Sequence, residues 1–341
     1  MLNNQGFISI IVLLVMTIII ISAAVLAYTW NLEYLILNSS KNAIQASYLA
    51  ESKIYMVLNK EEYFYLKLLP RIERYLKYGR LTPIYDYKIQ IDKKDLIEGD
   101  QNKNIEISFS NDKRFMELKT HSTYDGIKKQ AIAKTKLLNQ FFDMGLPIVS
   151  KESIETNKLK DYYNYLDYLQ KEINIPAYDD DLIGIEAKDY ENIKIIKGID
   201  EKINIEYFRN NLEKPIKTQA LNGDKAFLIA KGENLNPPIV SILSENGIDK
   251  VVLNGILYIE GDLEIHNDVN FNGILIINDG ELFINPLAEV KIEGIVLMKD
   301  HAESIESSDR IEIKFNSKEI IKYGTYLPKF IDPKIETMKI N

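Results

Sequence analysis

The first charged side chain in the sequence is Glu33, and residues 7–30 read FISIIVLLVMTIIIISAAVLAYTW, almost wholly apolar. About 24 residues at about 1.5 Å each make roughly 36 Å of helix, enough to cross a hydrocarbon core of about 30 Å with some tilt. A buried core helix seldom runs so far without a polar stripe, and a cleaved secretory signal has a basic start and a shorter apolar core. The run therefore predicts a transmembrane helix over 7–30.

The helical pattern continues past this run. Residues 31–58 (NLEYLILNSSKNAIQASYLAESKIYMVL) contain no Gly or Pro, and Ala43, Ala46, Ser47 and Ala50 recur at helical spacing. The expectation is one helix of some fifty residues, apolar in its first half and an amphipathic stem over 31–60. Its small-residue face lets another helix or a sheet approach closely.

Here the chain resembles a known family. A short polar leader ending in glycine, then Phe at the start of a long apolar helix, as in Asn4-Gln5-Gly6-Phe7-Ile8-Ser9, is similar to the class III signal of type IV prepilins. Ala43-Ile44-Gln45-Ala46-Ser47-Tyr48-Leu49-Ala50-Glu51-Ser52 resembles the A-x-x-A-x-x-A-E-S segment of minor pilins of the PilX N-terminal kind. The resemblance covers roughly the first sixty residues. It implies a leader over 1–6 cut between Gly6 and Phe7 by a prepilin peptidase, N-methylation of Phe7, and packing of the helix among other pilin subunits through Ala43, Ala46, Ser47, Ala50 and Glu51. The leader lacks the usual basic residue, and the fifth position after the cut is Ile11 where major pilins carry glutamate. That departure shifts the expected role toward a minor, initiating or tip subunit. No Lys or Arg precedes the span while Lys41 and Lys53 follow it, which taken literally would place the large domain in the cytoplasm. The leader outweighs this count, which rests on few charges.

The chain of 341 residues is 46% hydrophobic and 27% charged, sufficient for two folded domains. A net charge of -8 leaves no excess of cations to neutralise phosphates, so nucleic acid is not an expected partner. With no cysteine and only His121, His266 and His301, thiol chemistry, disulfides and Cys-ligated metals are excluded and histidine chemistry is scarce. No cofactor is expected.

From residue 84 to 138 the pattern has period two. Segments 84–91, 105–109, 115–119 and 127–137 read as four strands joined by turns, and Asp125-Gly126 suits a type I′ hairpin. With the helix before them they form a pilin-like antiparallel head over 61–140. A mixed connecting region is expected over 141–223. It carries a helix at 157–174, with Leu159, Tyr162, Tyr163, Leu166, Leu169 and Ile173 on one face and Pro176 after it. Asp179-Asp180-Asp181 lacks the spaced ligands of a calcium loop and reads as a solvated turn.

The last third repeats. Asn254-Gly255-Ile256-Leu257-Tyr258-Ile259 recurs as Asn272-Gly273-Ile274-Leu275-Ile276-Ile277 and as Glu293-Gly294-Ile295-Val296-Leu297-Met298. Between the glycines, Leu263 and Ile265 align with Leu282 and Ile284, and Val269 and Phe271 with Val290 and Ile292. The spacing matches one coil of a parallel β-solenoid, expected over 224–315, with Ile274 and Ile295 as equivalent inward positions and Glu264 facing out. An antiparallel sandwich is the rival architecture. Asn316 with Glu319 forms a capping box, Gly324 stops the helix and Pro328 prevents its continuation, so 316–341 reads as a terminal helical cap over the solenoid end. The fold class expected is α+β: membrane helix, antiparallel head, parallel β-helix domain, cap.

No phosphate loop, nucleophile elbow, zinc helix or dinucleotide fingerprint occurs. His266 and His301 flank strands of the repeat without a third ligand, and carboxylate pairs such as Glu260 with Asp262 resemble a glycosidase arrangement, though acidic residues beside turns are frequent throughout the chain. The function expected is a non-enzymatic minor pilin or pseudopilin-like subunit with its head outside the cytoplasmic membrane. Its partners would be membrane lipid, other pilin subunits, the prepilin peptidase and the assembly machinery. The alternatives are a membrane-anchored carbohydrate-binding or carbohydrate-active β-helix protein and a bactofilin-like scaffold.

Overall fold

The computed structural model describes residues 4–341 apart from 98–99, 101, 177–181, 210–211, 233–236 and 300–309. The chain divides into two compact units, the first formed by Met1–Arg71, Leu81–Lys136 and Lys334–Asn341, the second by Ile72–Arg80 and Leu137–Pro333.

The first unit is built on one helix, α1, Asn4–Asn59. From Phe7 to Lys41 every side chain of α1 is exposed, and an apolar window within it is long and hydrophobic enough to cross a membrane. Burial begins at Asn42 and recurs at Ala46, Leu49, Ala50, Lys53, Ile54 and Val57, a helical stripe that packs against the strand Phe115–Tyr124. Past Lys60, whose extended backbone breaks the helix, come a short helix α2 (Glu61–Tyr63), a π-turn (Phe64–Leu68) and helix α3 (Leu69–Tyr78).

Strands β1 (Lys88–Gln90), β2 (Asn104–Phe109), β3 (Phe115–Tyr124) and β4 (Ile127–Leu138) form an antiparallel meander, as their alternation predicts. Asp125 (φ 46°) and Gly126 (φ 80°) both take positive φ, the geometry of a type I′ turn. Asn42 Nδ2 donates to Asp125 Oδ2 at 2.7 Å, fastening this hairpin tip to α1. The sheet is completed by β18 (Ile331–Ile340), which lies beside β4. These residues are therefore a strand of the first sheet and not part of a terminal cap. They alternate too weakly to stand out in the sequence, because the face they complete is largely exposed.

The second unit is mostly β. One sheet has the order β17 (Ile311–Phe315), β16 (Val290–Met298), β14 (Val269–Ile277), β12 (Val251–Ile259), β10 (Lys225–Lys231), β6 (Ile183–Lys188), all parallel, with β5 (Ile148–Val149) beside the far half of β16. The other runs β15 (Leu282–Ile284), β13 (Asp262–Ile265), β11 (Ile239–Ser244), β7 (Asn192–Lys197) in parallel, then turns antiparallel through β8 (Ile203–Phe208) and β9 (Lys217–Leu221). From β10 to β16 the chain alternates between the two sheets, and neither closes on itself. Aliphatic and aromatic side chains from both sheets, Val240, Leu253, Leu257, Leu263, Phe271 and Leu275 among them, make one core.

The repeat offsets of 18 and 21 residues reappear as register: Gly255 pairs with Gly273 and Gly273 with Gly294. Parallel pairing, however, already begins at β6 and β7, inside the stretch expected to be a connecting region. Those strands carry no Asn-Gly signature, and the β8–β9 hairpin interrupts the pattern before the repeat starts.

Helix α4 (Leu159–Glu172) lies where expected and buries Tyr162, Tyr165, Leu166 and Leu169. Helix α5 (Ser317–Gly324) is capped by Asn316 through the Lys318 and Glu319 amides. It contacts β14 and β16, so it crosses a sheet face and does not cover the end of the stack as expected. Ile274 and Ile295 pair in register and are fully buried, yet the core between the sheets takes their neighbours Leu275 and Val296. Pleating turns alternate residues to opposite faces, so these isoleucines belong to the face opposite that core.

Candidate functional site

The residues singled out for processing and packing all lie on α1. Gly6 and Phe7 fall within its helical backbone, and Phe7 opens the exposed apolar stretch at 68% exposure; Met1 to Asn3 of the leader lie outside the described residues. Ala46 and Ala50 are fully buried, while Ala43, Ser47 and Glu51 flank them half-buried. The small residues thus admit the chain's own sheet, since β3 packs on this stripe.

Two polar clusters that sequence reasoning missed fix the stem. Lys53 Nζ lies 2.5 Å from Asp100 Oδ2, both side chains almost wholly buried, and also donates to the carbonyls of Asn102 (2.6 Å) and His121 (3.1 Å). Burial lowers the Lys53 pKa while the Asp100 carboxylate opposes the shift. At the end of α1, Lys60 Nζ donates to both Asp95 oxygens at 2.7 Å, and the Tyr63 hydroxyl donates to Asp95 Oδ2 at 2.6 Å. Burial and that carboxylate push the Tyr63 hydroxyl well above its ordinary range. The partners lie 32 to 68 positions apart in sequence, beyond the reach of any local pattern.

In the second unit the glycines of the repeat mark where neighbouring strands approach backbone to backbone. Gly255, Gly273 and Gly294 have φ of 124°, 149° and 155° in the middle of nine-residue strands, and at each a carbonyl of the neighbouring strand comes too close for a Cβ. The asparagines before the first two form a polar ladder with Asp224: Asn272 Nδ2 donates to Asn254 Oδ1 at 2.8 Å, and Asn254 Nδ2 to Asp224 Oδ2 at 2.6 Å.

Glu260 and Asp262 do not act together. Glu260 accepts from the Tyr258 hydroxyl at 2.9 Å and from Gln170 Nε2 of α4 at 3.4 Å, with Lys231 Nζ 3.8 Å away. Lys231 also donates to the carbonyl of Gln170. Asp262 instead takes the Glu281 amide at 2.9 Å. Burial raises the Glu260 carboxyl pKa, and with one oxygen on Tyr258 of β12 and the other on Gln170 of α4 the carboxylate links the helix to the strand end.

His266 Nε2 lies 3.3 Å from Glu264 Oε2, which also accepts from the Ser241 hydroxyl at 3.2 Å. Because the hydroxyl donates to the carboxylate and not to the imidazole, this trio does not activate a nucleophile. Among the described residues no cluster of three acidic or histidine side chains is placed to hold a metal ion; His301 and Asp179-Asp180-Asp181 lie outside them. No protein-family model, curated protein or solved structure matches the chain.

Proposed function

We propose that this chain is a non-enzymatic subunit of the minor pilin or pseudopilin kind, anchored by α1 in the cytoplasmic membrane and displaying its second unit outside the cell. The observation that carries the reading is the division of labour along α1. Its first half is exposed and carries no charge before Glu33, while its second half is the spine of an antiparallel sheet. An uncharged helix of this length belongs in lipid or among like helices. Gly6 and Phe7 then flank the cut of a prepilin peptidase, and Ile11 replaces the buried acid that other subunits would carry.

On the same reading the two sheets of the second unit are walls of a β-solenoid, each coil giving one strand to each wall. The β8–β9 hairpin ends one wall with an antiparallel strand, which suits a displayed module better than a scaffold growing end to end.

Processing tests the reading directly. Intact mass or N-terminal sequencing of protein extracted from membranes of cells with an active prepilin peptidase is expected to begin at Phe7, and Gly6→Glu to block the cut. An unprocessed Met1 terminus in such cells would remove the prepilin assignment.

A further inference from the structure

The outward face of the sheet formed by β15, β13, β11 and β7 carries a built polar groove. Lys194, Ser241, Glu264 and Phe283 stand in register across its four strands. The first three of them line an open groove of about 660 Å³ together with His266, and Phe283 stands beside it. Ser241, 7% exposed, steadies the row by donating its hydroxyl to the Glu264 carboxylate at 3.2 Å. Ile239 and Leu243 give the same groove apolar patches, and Phe283 is 48% exposed one strand over from Glu264.

We propose that this face binds a neutral glycan. One ammonium and one carboxylate stand in the row, so the groove has no excess charge to select an anion or a cation. A hydroxyl-rich ligand needs donors and acceptors side by side. Lys194, Glu264 and the His266 ring provide both. Apolar patches and an exposed ring suit the C–H faces of sugars, which few other water-soluble polymers present. Strands about 4.8 Å apart place equivalent side chains at close to the length of one pyranose, so a linear oligosaccharide crossing the strands meets one rung per sugar. A peptide adding as a strand would instead need a free edge. This inference does not depend on the role of α1.

The test uses the full-length chain in phosphocholine micelles, because a maltoside detergent would itself present sugar. Cellohexaose, chitohexaose and, as the sulfated comparison, a heparin hexasaccharide are titrated by calorimetry and by saturation-transfer NMR. At least one neutral sugar is expected to bind, with Glu264→Gln and Phe283→Ala each weakening it about tenfold or more, without change in melting temperature. Glu312→Gln, on a separate exposed strand, is expected to leave binding unchanged. The proposal is overturned if neither neutral sugar binds, if binding ignores both groove variants, or if only the sulfated glycan binds.

Discussion

At Gly273 a Cβ would lie 1.9 Å from the Gly255 carbonyl oxygen, on a backbone whose φ of 149° side chains rarely adopt. Gly273→Ala is therefore expected to cost about 3 kcal/mol, read from chemical denaturation, because neither backbone can move without breaking the ladder. Gly247→Ala, at φ 70° with open space around it, is expected to cost about 1 kcal/mol. A smaller loss at Gly273 than at Gly247 would mean the strands are not close-packed at this glycine. The glycines of the repeat are legible in the sequence because each follows a polar residue and precedes an aliphatic run. Glu260 is legible only as an acid; its burial comes from Tyr258, Lys231 and Gln170, which the fold brings together. Its carboxyl pKa is raised on folding, so its contribution is fully present below the unfolded value of about 4.5 and is lost as pH rises through the folded value. Denaturation between these two values is expected to show stability falling with pH, and Glu260→Gln to flatten that slope. An unchanged slope would assign it to another group.

At the scale of elements, long and strongly patterned segments are readable from sequence and short or shared ones are not. The continuous helix, the four-strand meander, the Asp-Gly hairpin and α4 all follow from local periodicity. The pairing of β6 and β7 with the later strands depends on contacts across more than forty positions, and β18 pairs with a strand about two hundred residues earlier. Helix α5 is recognisable by its cap, but what it covers is a tertiary fact. That difference alters what Ile274 does. It is fully buried on the sheet face opposite the core, on a strand that α5 contacts. Ile274→Asp would bury an unpaired carboxylate there and is expected to cost about 4 kcal/mol, while Glu264→Lys on the outer face stays near neutral for folding. Comparing their thermal midpoints decides the matter, and equal losses would refute the assignment of faces.

At the scale of the whole chain, the second unit is an insertion into the first. Strand β4 leads into it and β18 leads out, and these two strands are neighbours in one sheet. Gln130 exchanges backbone hydrogen bonds with Asn341, and Lys134 Nζ lies 2.7 Å from Glu336 Oε2. Counting along this antiparallel register from the Gln130–Asn341 pair brings Leu137 opposite Lys334, so the entry and exit of the insertion stand about one strand spacing apart, some 5 Å. Replacing 138–333 by Asn-Gly is then expected to close β4 onto β18 as a two-residue hairpin and leave the first unit folded. Ile72 and Leu76, buried on the piece of α3 that belongs to the second unit, would be uncovered and should be changed to Gln in the same chain. In micelles the shortened protein is expected to keep the Lys53–Asp100 pair and slow amide exchange along β3. Rapid exchange along β3 would mean that the first unit needs the inserted one to fold, and that the two form one cooperative structure and not a head carrying a displayed module.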